Sequence, residues 1–106
     1  MKDKRKIRSE RRAEVLKALA HPSRILLIEV LSEKECSVGE LTEMVGADMS
    51  TVSKHLSILK SVGLVEVEKR GLNVYYSMPC GCFTDFFGCV DALSQNRMKS
   101  LKESLC

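Results

Sequence analysis

The stretch that most limits what this chain can fold into is residues 48–63, Asp-Met-Ser-Thr-Val-Ser-Lys-His-Leu-Ser-Ile-Leu-Lys-Ser-Val-Gly. Val52, Leu56 and Leu59 recur at helical spacing, with Ile58 and Val62 beside them. The segment is therefore predicted to be an amphipathic helix packed through one apolar stripe. Asp48 or Ser50 can accept a backbone N–H and cap its start. Gly63 is the residue type that most easily turns left-handed just past a helix end. The opposite face carries Thr51, Ser53, Lys54, His55 and Lys60: hydrogen-bond donors and positive charge, with no acid. Such a face suits a phosphate-lined groove. Most amphipathic helices, however, only solvate their polar face, so the neighbouring segments decide.

Upstream, residues 10–20 read as a first helix, with Val15, Leu16 and Leu19 on its apolar side. The His21-Pro22 pair interrupts it, because the residue before proline is pushed out of the helical region. Pro22 then suits the first turn of a second helix over residues 22–32, which carries Ile25, Leu26, Ile28, Val30 and Leu31. Residues 33–37 are expected as a polar connector containing Cys36. Residues 38–45 form a short helix that Gly46 ends, and a tight turn leads to the helix at 48–63. Two short helices about such a turn, the second with a polar outer face, make a helix-turn-helix.

Downstream the period changes. Residues 64–68 and 73–77 read as strands, with Lys69-Arg70-Gly71-Leu72 as a hairpin tip. This basic hairpin is a wing, and Lys69 and Arg70 can reach phosphates or the minor groove. Pro79 opens a last segment in which Phe83, Phe86, Phe87, Val90, Leu93, Met98, Leu101 and Leu105 are spaced for one long helix, weakened near Gly81 and Gly88. Three Phe within five residues are too many for a lone surface helix. This helix and the first are predicted to pair with their copies in a symmetric homodimer, which places two recognition helices on a palindromic site. The predicted fold is mainly α with a small β-hairpin: a winged helix-turn-helix, dimeric through its first and last helices.

The 106 residues suit one such domain. Net charge is only +3, but residues 1–12 hold seven Lys or Arg against Asp3 and Glu10, leaving the remainder net −2. Residues 1–9 are expected as a basic flexible arm, either touching phosphates or simply solvated, and 10–106 as the DNA-binding and dimerisation domain. No run approaches the ~20 apolar residues that span a bilayer, and no apolar stretch follows the basic start as in a signal peptide. A cytoplasmic location is expected, in which the five cysteines are reduced thiols rather than a disulfide scaffold. No catalytic constellation is visible, so an enzyme is not expected.

At Leu16–Ile28 (Leu-Lys-Ala-Leu-Ala-His-Pro-Ser-Arg-Ile-Leu-Leu-Ile), residues 40–46, residues 50–65 and the wing end Val-Tyr-Tyr-Ser-Met at 74–78, the chain resembles the ArsR/SmtB family of winged-helix metal-responsive repressors. The resemblance implies a dimeric repressor that binds double-stranded operator DNA without a cofactor and leaves it when an inducer binds. It puts Ser50, Thr51, Ser53, Lys54 and His55 on base or phosphate contacts, and Lys69 and Arg70 on the wing. One arsenite site of the family reads Cys-Val-Cys-Asp-Leu. Here the same stretch is Ser37-Val38-Gly39-Glu40-Leu41, with both thiol positions lost. The family's zinc site on the last helix needs Asp and His, and His21 and His55 both lie in other motifs.

What remains is Cys80-Gly81-Cys82 followed by Cys89. Some members of the family hold arsenite on thiolates at the start of the last helix. Arsenite prefers three thiolates in a trigonal pyramid, and cadmium and lead also accept sulfur-rich sites. In a continuous helix Cys82 and Cys89 lie ~10 Å apart along the axis. Either the segment bends at Gly81 and Gly88, or thiols from two chains meet. The competing readings are a redox or reactive-sulfur switch that forms a disulfide, and plain packing of cysteines among the phenylalanines. A thiol oxidoreductase is disfavoured, since the cysteines have no βαβ context. Cys106, the last residue, is a stray ligand, a resolving thiol or nothing.

Overall fold

The computed structural model describes residues 3–79 and 83–105, and their side chains except those of 83, 84 and 100–105. The first helix, α1, spans Lys4–Leu19 and starts six residues earlier than expected. Residues 4–9, expected within a flexible arm, are its first turns. Asp3 caps it by accepting from Arg5 N at 3.2 Å, and Lys and Arg are nearly as good helix formers as Ala. Charge alone suggests an arm; propensity plus a cap gives a helix.

Pro22–Glu33 forms α2, with His21 as N-cap and Pro22 in its first turn. Its Leu27, Ile28 and Leu31 enter the core. The expected connector differs from a plain loop. Cys36–Ser37 is a short strand, β1, paired antiparallel with the later β3 (Asn73–Ser77) at Cys36↔Tyr76 and Ser37↔Tyr75. Cys36 is consequently buried, as small weakly polar thiols often are.

The next helix, α3, runs Val38–Val45 behind a capping box: Glu40 N donates to Ser37 Oγ at 3.2 Å, and Ser37 N donates to Glu40 Oε1 at 3.4 Å. Gly46 ends it at φ 72°, in the left-handed region that glycine adopts freely. Met49–Ser61 is α4, capped by Asp48.

After Gly63, Leu64 and Val65 are buried rather than paired. β2 therefore begins two residues later than expected, at Glu66–Arg70. It pairs with β3 from Glu66↔Ser77 to Arg70↔Asn73, giving sheet order β1-β3-β2. The hairpin turn is thus only Gly71-Leu72, and Lys69 and Arg70 belong to the strand rather than the tip. Phe83–Leu105 forms α5, continuous through Gly88, where a weakening was expected.

Leu27, Ile28, Leu41, Val52, Leu56 and Leu59 make one core between α2, α3 and α4. In contrast, α1, α2 and α5 enclose an open apolar groove lined by Leu16, Leu19, Ile25, Phe86, Phe87 and Val90. The architecture is the expected one: mainly helical, with a small antiparallel sheet behind a helix-turn-helix. Among the described residues, no helix is long and apolar enough to cross a membrane.

Candidate nucleic-acid interface

Three fully buried residues fix the rotation of α4: Val52, Leu56 and Leu59. Ser50, Thr51, Lys54 and Lys60 are then exposed, and Ser53 and His55 are half-buried at the margin. Asp48, the N-cap of α4, is engaged in its own cap. Asp48 accepts from Thr51 N at 2.8 Å and from Ser50 Oγ at 3.4 Å. Its bonds to Thr51, more than any other effect, hold its carboxyl below the usual range. Asp48 therefore stays ionised as the anionic cap of the helix start, and the exposed cations of the face, Lys54 and Lys60, lie further along α4.

His55 is tied inward more than the sequence implied. Its Nδ1 accepts from Arg24 Nε at 3.2 Å, and Arg24 Nη1 donates to the Ala18 carbonyl at 2.7 Å. The His55 ring lies against His21, centroids 4.5 Å apart and planes 43° apart. His21 Nδ1 in turn accepts from Ser23 N at 3.1 Å, capping α2. Burial, then the neighbouring His21 and Arg24, push the His55 imidazole below its ordinary range and keep it neutral. The cluster joins the end of α1, the start of α2 and the middle of α4. Only Nε2 of His55 is left to donate outward.

On the wing, Lys69 and Arg70 differ. Arg70 forms an ion pair with Glu35, with Nη2 to Oε2 at 3.0 Å, and a second with Glu68 at 2.9 Å. Its guanidinium lies 5.0 Å over the Tyr75 ring. Hydrogen bonding to Arg70, before any other influence, lowers the Glu35 carboxyl, and Arg70 is correspondingly raised. Sequence reasoning missed Arg24 and Glu35. Their partners lie 31 and 35 residues away. The His-Pro-Ser-Arg run was the only local signal for Arg24.

Of the cysteines singled out, Cys89 is exposed on α5. Cys80 and Cys82 lie outside the described residues, as does Cys106. Cys36 is buried and donates to the Lys34 carbonyl at 3.6 Å; burial chiefly pushes its thiol up, away from thiolate chemistry. Among the described residues, no three Cys, His, Asp or Glu side chains gather as a metal site.

Residues 21–67, from the cap of α2 to the start of β2, match the family described as bacterial regulatory protein, arsR family. The nodulation protein NolR of Rhizobium meliloti is 34% identical over 83 residues, covering 72% of this chain and 68% of NolR. The chain belongs to the ArsR family. The biofilm growth-associated repressor of Xylella fastidiosa is 38% identical over 66 residues, covering 62% of this chain. That match takes in 58% of the Xylella protein, so the chain spans about three-fifths of that relative's length. In structure, the homodimeric winged helix-turn-helix DNA-binding domain Mb0332 of Mycobacterium bovis superposes with a TM-score of 0.77 at 27% identity, covering 94% of this chain and 93% of that one. The winged helix-turn-helix fold expected from its residues is the one it shares with this structure, and the Xylella relative is named as a repressor.

Proposed function

We propose that the chain is a homodimeric repressor. It holds double-stranded operator DNA with two copies of α4 and the wing, and releases it when cysteines at the start of α5 bind arsenite or another soft thiophilic ion. The observation that carries the DNA reading is the exposed, acid-free face of α4, with Ser50, Thr51 and Lys54 outward and Asp48 closed into its own cap. Ser53 and the Nε2 side of His55 border that face, and Lys69 extends it on the wing. The apolar residues left open on α1 and α5 support a dimer through those helices, and the homodimeric Mb0332 domain has the same fold.

The chemistry of the donors supports the inducer. Cys80, Cys82 and Cys89 are three thiols within ten residues, and a soft trigonal ion favours three thiolates. Cys89 is exposed, as a ligand must be. Because α5 is unbroken at Gly88, Cys89 stays ~9 Å along the axis from the helix start. That distance favours closure with thiols of the second copy. Ligation across the dimer would change the spacing of the two recognition helices, given a coupling energy of about 1–3 kcal/mol between ion and DNA.

The expected behaviour of Cys89→Ser is operator affinity within about twofold of the parent, since the exposed side chain belongs to α5 and not to the α4 face or the wing, with loss of most of the arsenite response. Fluorescence anisotropy on a promoter fragment checks both. A full response in the variant would remove Cys89 from the site.

A further inference from the structure

Lys69 and Arg70 are neighbours in β2, so strand alternation sends their side chains to opposite faces of the sheet. The register identifies those faces. Arg70, Glu68 and Glu66 alternate along one, opposite Asn73, Tyr75 and Ser77 of β3. Tyr75 also stands opposite Ser37, and Glu35, two residues before Ser37, reaches Arg70 on this same face. Three carboxylates and one guanidinium share it. The other face carries Val67, Lys69, Val74, Tyr76 and the buried Cys36, with no acid at these positions.

A phosphate nearing the first face meets an excess of negative charge. The cation that would attract it is already bound to Glu35 and Glu68 and stacked on Tyr75. A lone half-exposed ion pair would count for little. Here a guanidinium fork engages two carboxylates and an aromatic face together, a geometry that fixes direction as well as distance. It ties the outer end of β2 to the segment between α2 and β1, immediately before the Ser37 cap of α3.

We propose that Arg70 is a positioning residue that clamps the wing to the α2–β1 junction through Glu35, and that Lys69, on the opposite face, is the wing's phosphate contact. This rests on the operator-binding reading above. The test uses the full chain and its own promoter fragment, with anisotropy measured over a range of salt concentrations. Arg70→Glu is expected to weaken binding about tenfold or more, and the swapped pair Glu35→Arg with Arg70→Glu to return it to within about threefold of the parent. Lys69→Gln is expected to reduce the slope of log K against log salt by about 0.9 for each phosphate no longer neutralised, while Arg70→Gln leaves the slope unchanged. A swap as weak as Arg70→Glu alone, or a slope change in Arg70→Gln equal to that in Lys69→Gln, would make Arg70 the phosphate contact and overturn the proposal.

A DNA-free readout separates this from failure of operator binding itself. Amide hydrogen exchange at residues 69–73 should quicken in Arg70→Glu and recover in the swap. Unchanged exchange in Arg70→Glu overturns the clamp whatever the DNA result. A parent protein that does not bind the fragment, with the exchange pattern as expected, overturns only the operator reading.

Discussion

Leu27, Ile28, Leu41, Leu56 and Leu59, in the segment from α2 to α4, are fully shielded from solvent, whereas Phe86, Val90, Leu93 and Met98 of α5 are 42%, 44%, 70% and 63% exposed. Both regions are rich in apolar side chains at helical spacing, but they use them differently. The helix-turn-helix buries its stripe within one chain and locks the result with side-chain bonds: the Ser37–Glu40 box, the Asp48 cap and the Arg24–His55 bridge. α5 is longer, at 23 residues, yet leaves much of its stripe open beside Leu16 of α1. One chain of this size has limited core to share. In the proposed dimer a second chain would cover the α5 side only, since the α2–α4 segment already closes its core within one copy.

The largest expected effect lies in the complete half. Leu56→Ala removes a wholly buried side chain from α4 and should cost about 2–5 kcal/mol in urea unfolding, with loss of operator binding as the fold weakens. A cost under about 1 kcal/mol would mean that the core around α4 is looser than its burial indicates.

Next comes the incomplete half. Leu93→Glu, at an exposed position, should leave helical content intact. It should weaken self-association about tenfold or more, as a charge placed in an apolar interface does. Sedimentation velocity across a concentration series reads this directly. Unaltered association would place the dimer contact elsewhere and erase the contrast between the two halves.

The smallest effect concerns the lock between α2 and α4. The folded His55 imidazole sits below its ordinary value of 6.5. The unfolded chain therefore takes up the proton first, and protonation favours unfolding. This contribution is full above the ordinary value and is lost as pH falls through it toward the lower folded value. Unfolding measured from about pH 8 to about pH 5 should show the decline, and His55→Gln should flatten it. An equal decline in both proteins would assign it to other groups.

The same contrast explains what could be read from the residues alone. α3 and α4 were legible because their signals are local: Gly46, Asp48 and an apolar stripe. β2 was displaced by two residues because Leu64 and Val65 look strand-like yet are drawn into the core before pairing begins. The start of α1 at Lys4 is hidden in the sequence because clustered Lys and Arg signal charge more plainly than they signal helix. β1 and the fate of Arg70 depend on partners across the fold, at Tyr76 and Glu35, and no local pattern announces such pairs. Cys36 marks the limit: by sequence it belonged to a polar connector, and by pairing it became core.

The most direct measurement is a titration of the reduced protein, bound to its own promoter fragment, first with arsenite and then with peroxide, followed by fluorescence anisotropy. Release at stoichiometric arsenite, reversed by excess dithiol, is the predicted result. Release by oxidant alone would contradict the proposed sensor and move the cysteines to a disulfide switch, and release by neither would leave them as packing residues.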